Sequence, residues 1–502
     1  MLALAFASGF THAGSPLSIA EGVLDSNKVN LGLDKIDGAT TVTVFSPTES
    51  SDHYVNGVVM AGFKGKLFCQ WQSSATDEDS EDTWVAYSIG SRTYDAEGRV
   101  QETWSAPKIL ARAISGGYRT SGGWVVYGDT LVAFVNEWPD SMSVKGGFAY
   151  YTQSSDGISW SELKPVLMDD GSPMMAVFEQ DPHRVGNRLI NAAHFQPGLL
   201  ANPIYTDDLS GRTGWVRASF TNMEHSGTSS REMEPSLYVK KSSEIVMTFR
   251  DQNSSYRRLA SVSRDNGGSW SMAELTNMPD SRAKQSAGNL PDSSAYLVGN
   301  PVTNKTRIPL SIVLSDEGTV FTRAFNLRTQ DEIPELLYEG TAKREGYHYP
   351  KSARIGDFLY VSYATNKEHA EYTRIPLEKI CNYAPVADTV DNEFDSVKTD
   401  AGNVDMGDDG EKIADSVSQG LADGMKSVKM EISLVENTIV LNTPYGISKF
   451  SLYDVLGNKI YSRVVNQGMS VVSIEACKFA PGIYYAGLTC GASLIMKKIV
   501  IR

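Results

Sequence analysis

The chain has no apolar run approaching 18 residues, only four cysteines and seven histidines among 502 residues, and no excess of basic charge. Each scarcity excludes something. Without a long apolar run, no helical membrane span is expected. Without a Cys/His cluster at zinc spacing, no zinc site and no cofactor are expected. The formal net charge is −14, so a phosphate backbone would be repelled and nucleic acid is not an expected partner. Cys69 and Cys381 are far apart, whereas Cys477 and Cys490 lie 13 apart and could pair in an oxidising compartment.

What is present is a repeated turn. "SRDNGGSW" ends at Trp270 and "SSDGISW" at Trp160, while "SDEGTVF" puts Phe321 in the Trp position. Looser forms, "DAEGRVQETW" and "DLSGRTGW", end at Trp104 and Trp215. An Asp side chain that bonds nearby N–H groups and a Gly that accepts positive φ make a tight turn, which the aromatic plugs from below. Successive aromatics are 56, 55, 55 and 51 residues apart, and another 51 reaches Tyr372. Between the turns lie short runs such as "EIVMTF" and "GFAYYT", half-alternating and rich in β-branched and aromatic residues. Four short strands and their turns use about 40 to 50 residues. The pattern predicts an all-β chain whose residues 40–380 form a six-bladed β-propeller.

Charge and composition divide the remainder. From Asp388 to Asp423 there are 11 acidic and 2 basic residues, or −9, leaving −5 for the rest. With few large apolar groups, residues 385–427 read as an acidic linker. Residues 428–502 alternate again and read as a small β-sandwich. Its "LYDVLGNKIYS", "PGIYYAGL" and final "KKIVIR" resemble the C-terminal sorting domains of the type IX secretion system. That resemblance implies recognition by a secretion machinery and export across a bacterial outer membrane, giving a secreted or cell-surface protein. Residues 1–20, apolar with small residues following but no basic start, read as a truncated signal peptide.

Function has to come from the loops, because a propeller is a scaffold. In "EMEPSLYVKKSSEIVMTFRDQ", Glu234 precedes a Pro and Arg250 follows 16 residues later. Strand, turn and strand of that length return the chain to its starting end, so the two side chains are expected at one mouth of a blade. Arg307 opens the strand leading to the next aspartate box, and "EGYHYP" presents Tyr347, His348 and Tyr349 ahead of a later strand.

This order, over roughly residues 50 to 380, resembles the sialidase superfamily. The resemblance implies that Tyr349 is a nucleophile polarised by Glu234, that Arg250 and Arg307 clamp a substrate carboxylate, and that an early acid assists the leaving group. Asp77 and Asp79 stand in the acid's place, and Asp79 is favoured. A phenol titrates near pH 10, so a Tyr nucleophile needs a neighbouring base, and the planar Arg fork suits a carboxylate. One departure stands out: the first-blade segment "DHYVNGVVMAGFKGKLFCQW" lacks the Arg that the family places there. A clamp of two Arg points to an acidic glycan in general, including uronates.

Each residue has a plainer role open to it. Arg250 and Arg307 could be inter-blade ion-pair partners, and Tyr349 a packed strand aromatic. His183 and His194, among Gln180, Asp181, Asn191 and Gln196, are equally structural residues or sugar ligands; with Tyr347, His183 completes the expected substrate-binding set. Three functions follow. One is a sialidase-like exo-glycosidase that removes a terminal acidic sugar. Another is a propeller lyase acting on a uronate polysaccharide, with His194 or Tyr349 as its base. The third is a glycan-binding propeller without catalysis.

Overall fold

The computed structural model describes residues 14–95, 99–384, the short strand Ser396–Val397 and the strands between Glu431 and Ile501. It is all-β, its only helical elements being three single 3-10 turns among the described residues. The chain divides into two compact units, residues 1–408 and 409–502.

The first unit holds six antiparallel sheets of four or five strands each, alongside one short two-stranded pairing. Five of them follow the chain in simple meanders, led by Tyr54–Phe63, Gly117–Tyr127, Ala176–Phe178, Glu232–Val239 and Ser286–Asn289. The sixth, led by Tyr347–Ile355, takes its outer strand from the far end of the chain: Thr40–Phe45 pairs with His369–Pro376. Neighbouring sheets touch in sequence, and Tyr347–Ile355 also touches Tyr54–Phe63, which brings the sixth sheet against the first.

The repeated turns fold as their residues dictate. In the fourth of them, Asp265 accepts from Ser263 and from the Ser269 amide, Gly267 donates its N–H to Ser263, and Trp270 bonds the Gly267 carbonyl at 3.0 Å. The same pattern recurs around Asp156 and Asp208. Each turn joins the third strand of a sheet to its fourth. Since the first strand starts at one end and the third runs parallel to it, all the boxes lie at the opposite end from the first-strand starts.

Apolar side chains from adjacent sheets pack into one another; Val55, Met60 and Trp71 of the first sheet meet Tyr360 and Tyr372 of the sixth. At that seam Glu102 is fully buried, bonding Arg92 at 3.2 Å, Arg374 at 2.8 Å and the Tyr372 hydroxyl at 2.6 Å.

Part of the stretch expected as a leader is built into this unit. Leu17 is buried, Ser18 and Ala20 donate to the carbonyls of Thr319 and Phe321, and Asn277 brackets Ile19. Residues 1–13 lie outside the described residues, as does most of the expected linker; of the latter, Ser396–Val397 pairs with the start of the turn at Arg354 and Ile355. The second unit has a three-stranded and a four-stranded antiparallel sheet in contact with each other, with Phe450, Leu452, Ala486 and Ile499 buried. Cys477 lies outside the described residues, so the expected Cys477–Cys490 pairing does too.

Candidate active site

Four of the six leading strands carry the same irregularity near their starts. The ladder slips between Asn56 and Val59, Ser121 and Gly123, Met233 and Ser236, and His348 and Lys351. Each slip is a β-bulge, in which an extra residue is re-aimed out of the sheet. In three of them the first residue of the bulge has positive φ, Gly57 at 62°, Glu234 at 52° and Tyr349 at 54°, whereas in the strand led by Gly117 it is the residue after, Gly123, at 109°. Glycine takes that conformation freely, whereas for Glu and Tyr it is strained. Pro235 and Pro350 follow the two strained residues, and their missing N–H suits a position the ladder leaves unpaired.

The bulges bring Glu234 and Tyr349 into one cavity of about 160 Å³, together with Glu78, Asp79, Glu179, Lys284 and Lys145. Arg250, at the end of the strand beside Glu234, pairs with it at 2.9 Å, both side chains nearly buried. The Arg307 guanidinium lies 4.8 Å from the centre of the Tyr349 ring, with Lys367 at 5.5 Å and Lys284 at 5.6 Å. Burial pushes the Tyr349 hydroxyl above its usual range and the Glu234 charge adds to this, while Arg307 and Arg250 act against them. Tyr349 is therefore a neutral phenol at rest, ringed by cations that would favour its anion once a base takes the proton.

Two histidines hold this arrangement. His348 is fully buried; its Nδ1 faces Arg307 Nη1 at 2.9 Å and its Nε2 the Arg344 carbonyl at 3.0 Å. Guanidinium only donates and carbonyl only accepts, so Nε2 carries the proton and Nδ1 accepts. Burial and the charge of Arg307 keep this imidazole well below its ordinary titration range. The other histidine, His194, is 1% exposed, and its Nε2 accepts the backbone N–H of Glu234 at 3.2 Å. It supports the Glu234 bulge from behind and does not line the cavity, where a catalytic His194 is expected from the sequence.

Other expectations also change. Tyr347 is a core residue: it is fully buried, stacks edge-on with Tyr363 and donates to the Thr329 carbonyl at 2.8 Å. His183 pairs with Ile190, four residues along the strand from His194, about 13 Å toward the box end. Desolvation holds it down at about 4, and it is absent from the cavity. Gln180 and Asn191 are buried and spend their side chains on backbone carbonyls. Asp77 accepts the Thr341 N–H at 2.6 Å and so holds a loop, while Asp79 lines the cavity, paired with Lys145 at 2.6 Å.

Several site residues were not read from the sequence. Glu78 bonds Lys367 and the Tyr54 hydroxyl, each at 2.8 Å; burial raises its carboxyl, but Lys367 and Arg307 outweigh this and hold it below the usual range. Glu179 bonds Lys284 at 2.9 Å. A third arginine, Arg344, joins Arg250 and Arg307 in lining an adjoining cavity. It comes from the loop before Tyr349, not from the first sheet where an arginine was missing.

Residues 65–361, more than half of the chain, match the BNR repeat-like domain, and residues 431–502 match the secretion system C-terminal sorting domain. No curated protein matches in sequence. Among solved structures, a sialidase superposes with a TM-score of 0.50 at 14% identity over 96% of this chain; the match spans 48% of that protein, about half its length. The Trypanosoma rangeli sialidase gives 0.48 at 11% identity, covering 92% of this chain and 89% of the other. The intramolecular trans-sialidase from Ruminococcus gnavus gives 0.49 at 12%, covering 70% and 99%. At these identities the likeness concerns the fold alone.

Proposed function

The chain belongs to the family of BNR repeat-like domains and carries a type IX sorting domain for export, and from that premise we propose that it is a six-bladed propeller exo-glycosidase removing a terminal acidic sugar from a glycan. The observation that carries this reading is the pair of strained bulges that aim Glu234 and Tyr349 into one cavity beside Arg250 and Arg307.

The chemistry runs as follows. Arg250 and Arg307 hold the sugar carboxylate. Tyr349 passes its proton to Glu234 as its oxygen bonds the anomeric carbon, and the glycosidic C–O bond breaks. Asp79, once its ion pair with Lys145 has opened and it has taken up a proton from solvent, gives that proton to the departing oxygen. Water then attacks the anomeric carbon as Asp79 takes its proton; the carbon–tyrosine bond breaks, Glu234 returns its proton to the tyrosine oxygen, and the sugar is released. Elimination with His194 as base is not retained, since the ring is enclosed and its Nε2 is occupied.

The test is Tyr349→Phe, assayed on uronate- and sialate-capped glycans with products identified. Release of sugar should fall by orders of magnitude, because the attacking atom is removed. Full activity in that variant, or an unsaturated uronate as product, would refute the proposal.

A further inference from the structure

We propose that the cavity beside the carboxylate clamp binds a second anionic group on the same sugar, a tetrahedral oxyanion ester such as sulfate or phosphate. The inference rests on the reading of Arg250 and Arg307 as that clamp.

The cavity measures about 170 Å³ and is lined by Arg250, Ser281, Arg282, Lys305, Arg307 and Arg344, which is five cations and no acid. Arg250 has Glu234 as its counter-charge. Arg307 is 4% exposed, yet its only side-chain hydrogen-bond partner among the described residues is the neutral His348, and its Nε has none. Arg282, Lys305 and Arg344 make no side-chain ion pair or hydrogen bond among the described residues, and Arg282 Nε is also buried without a partner. Burial and the charges of Arg307 and Arg250 push the Arg344 guanidinium below its ordinary range, a sign that these cations repel one another in the free protein.

A carboxylate cannot absorb this excess. Its two oxygens offer about four lone-pair sites, and two arginine forks fill them. Arg282, Lys305 and Arg344 would then face the bound sugar still without acceptors. An ester with three terminal oxygens supplies the missing acceptors and the missing negative charge.

The test measures binding to the full chain by calorimetry, with a uronate monosaccharide, the same sugar carrying one O-sulfate or one O-phosphate, and inorganic sulfate and phosphate. The esterified sugar should bind more tightly than the plain one by about tenfold. That preference should vanish in Arg282→Gln and weaken in Lys305→Gln, where the side chain is exposed and folding is not at stake, while affinity for the plain uronate stays unchanged. The sulfate and phosphate arms decide which ester is preferred. Equal binding of plain and esterified sugars, or a preference that survives both variants, would overturn the inference. Because binding is read directly, tight binding without hydrolysis would count against the proposed reaction and leave this site standing.

Discussion

Changing Glu368 to Gln should loosen one loop without unfolding the propeller. Glu368 and Lys343 form an ion pair at 2.9 Å with both side chains fully buried. The same carboxylate accepts the N–H groups of Leu337 and Tyr338 at 3.0 and 2.8 Å. Through these bonds it ties down the segment that carries Arg344, which continues to the first sheet where Thr341 meets Asp77 and Tyr338 stacks on His53 at 3.6 Å. Removing one partner of a buried pair costs about 3–5 kcal/mol, because the other charge is left without compensation.

Where that energy goes decides the outcome. An unfolding entropy of about 2.1 cal/mol/K per residue over roughly 350 residues makes 3–5 kcal/mol worth about 4–7 °C of Tm, if the loss were global. The loop has another option: by detaching it lets Lys343 reach water, so local opening becomes easier while the sheets hold. Hydrogen exchange at Leu337, Tyr338 and Thr341 should speed up by about two to four orders of magnitude. The Tm should fall by less than about 4 °C. Affinity for the sulfate- or phosphate-bearing sugar should weaken as Arg344 leaves the cavity. The full Tm loss with unchanged loop exchange would show the reasoning wrong, and so would no change in either.

His348 should make the fold sensitive to mild acid. Its folded pKa lies well below the unfolded value near 6.5, so below about pH 6.5 the unfolded chain binds a proton that the folded chain refuses, and stability falls as pH falls. His348→Gln should flatten Tm against pH between about 6.5 and 4.5 while weakening acidic-sugar binding through Arg307, and an identical slope would contradict this. Deleting the residues after Met430 should retain the protein within the cell envelope and leave the activity of the purified propeller intact; lost activity would show that the sorting domain takes part in turnover.

The aspartate boxes made the all-β repeat legible, because their chemistry is local: three or four consecutive residues satisfy one another. Glu234 and Arg250 were legible for a related reason, since a hairpin of that length returns to its start. Arg344, Lys284, Lys367, Glu78 and Glu179 were not, because each comes from a different strand or loop and only the arrangement of sheets assembles them. Tyr347, expected in the substrate-binding set, lies in the core. Residues 347 and 349 share a face in a regular strand, but the bulge at Tyr349 breaks that parity, leaving Tyr347 in the core and its neighbour in the cavity. His194 was expected as a catalytic residue. It is close to the site in space, but it points at the back of the Glu234 bulge.

The bulges also yield a test of whether strain is held at the site for the sake of its chemistry. Gly57 occupies the equivalent position of the first sheet at no conformational penalty, whereas Glu234 sits at a φ of 52° where a side chain is disfavoured by about 1–2 kcal/mol. Glu234→Gln and Glu234→Gly both remove the carboxylate and both leave Arg250 without its counter-charge, so that loss cancels when the two are compared. What differs is the strain, which Gln keeps and Gly relieves. Glu234→Gly should therefore be the more stable of the pair by about 1 kcal/mol in denaturant unfolding, the larger freedom of glycine in the unfolded chain offsetting part of the gain. Both should lose hydrolysis to the same extent. Equal stability of the two variants would mean that the bulge is unstrained, and activity in either would remove Glu234 from the proposed reaction.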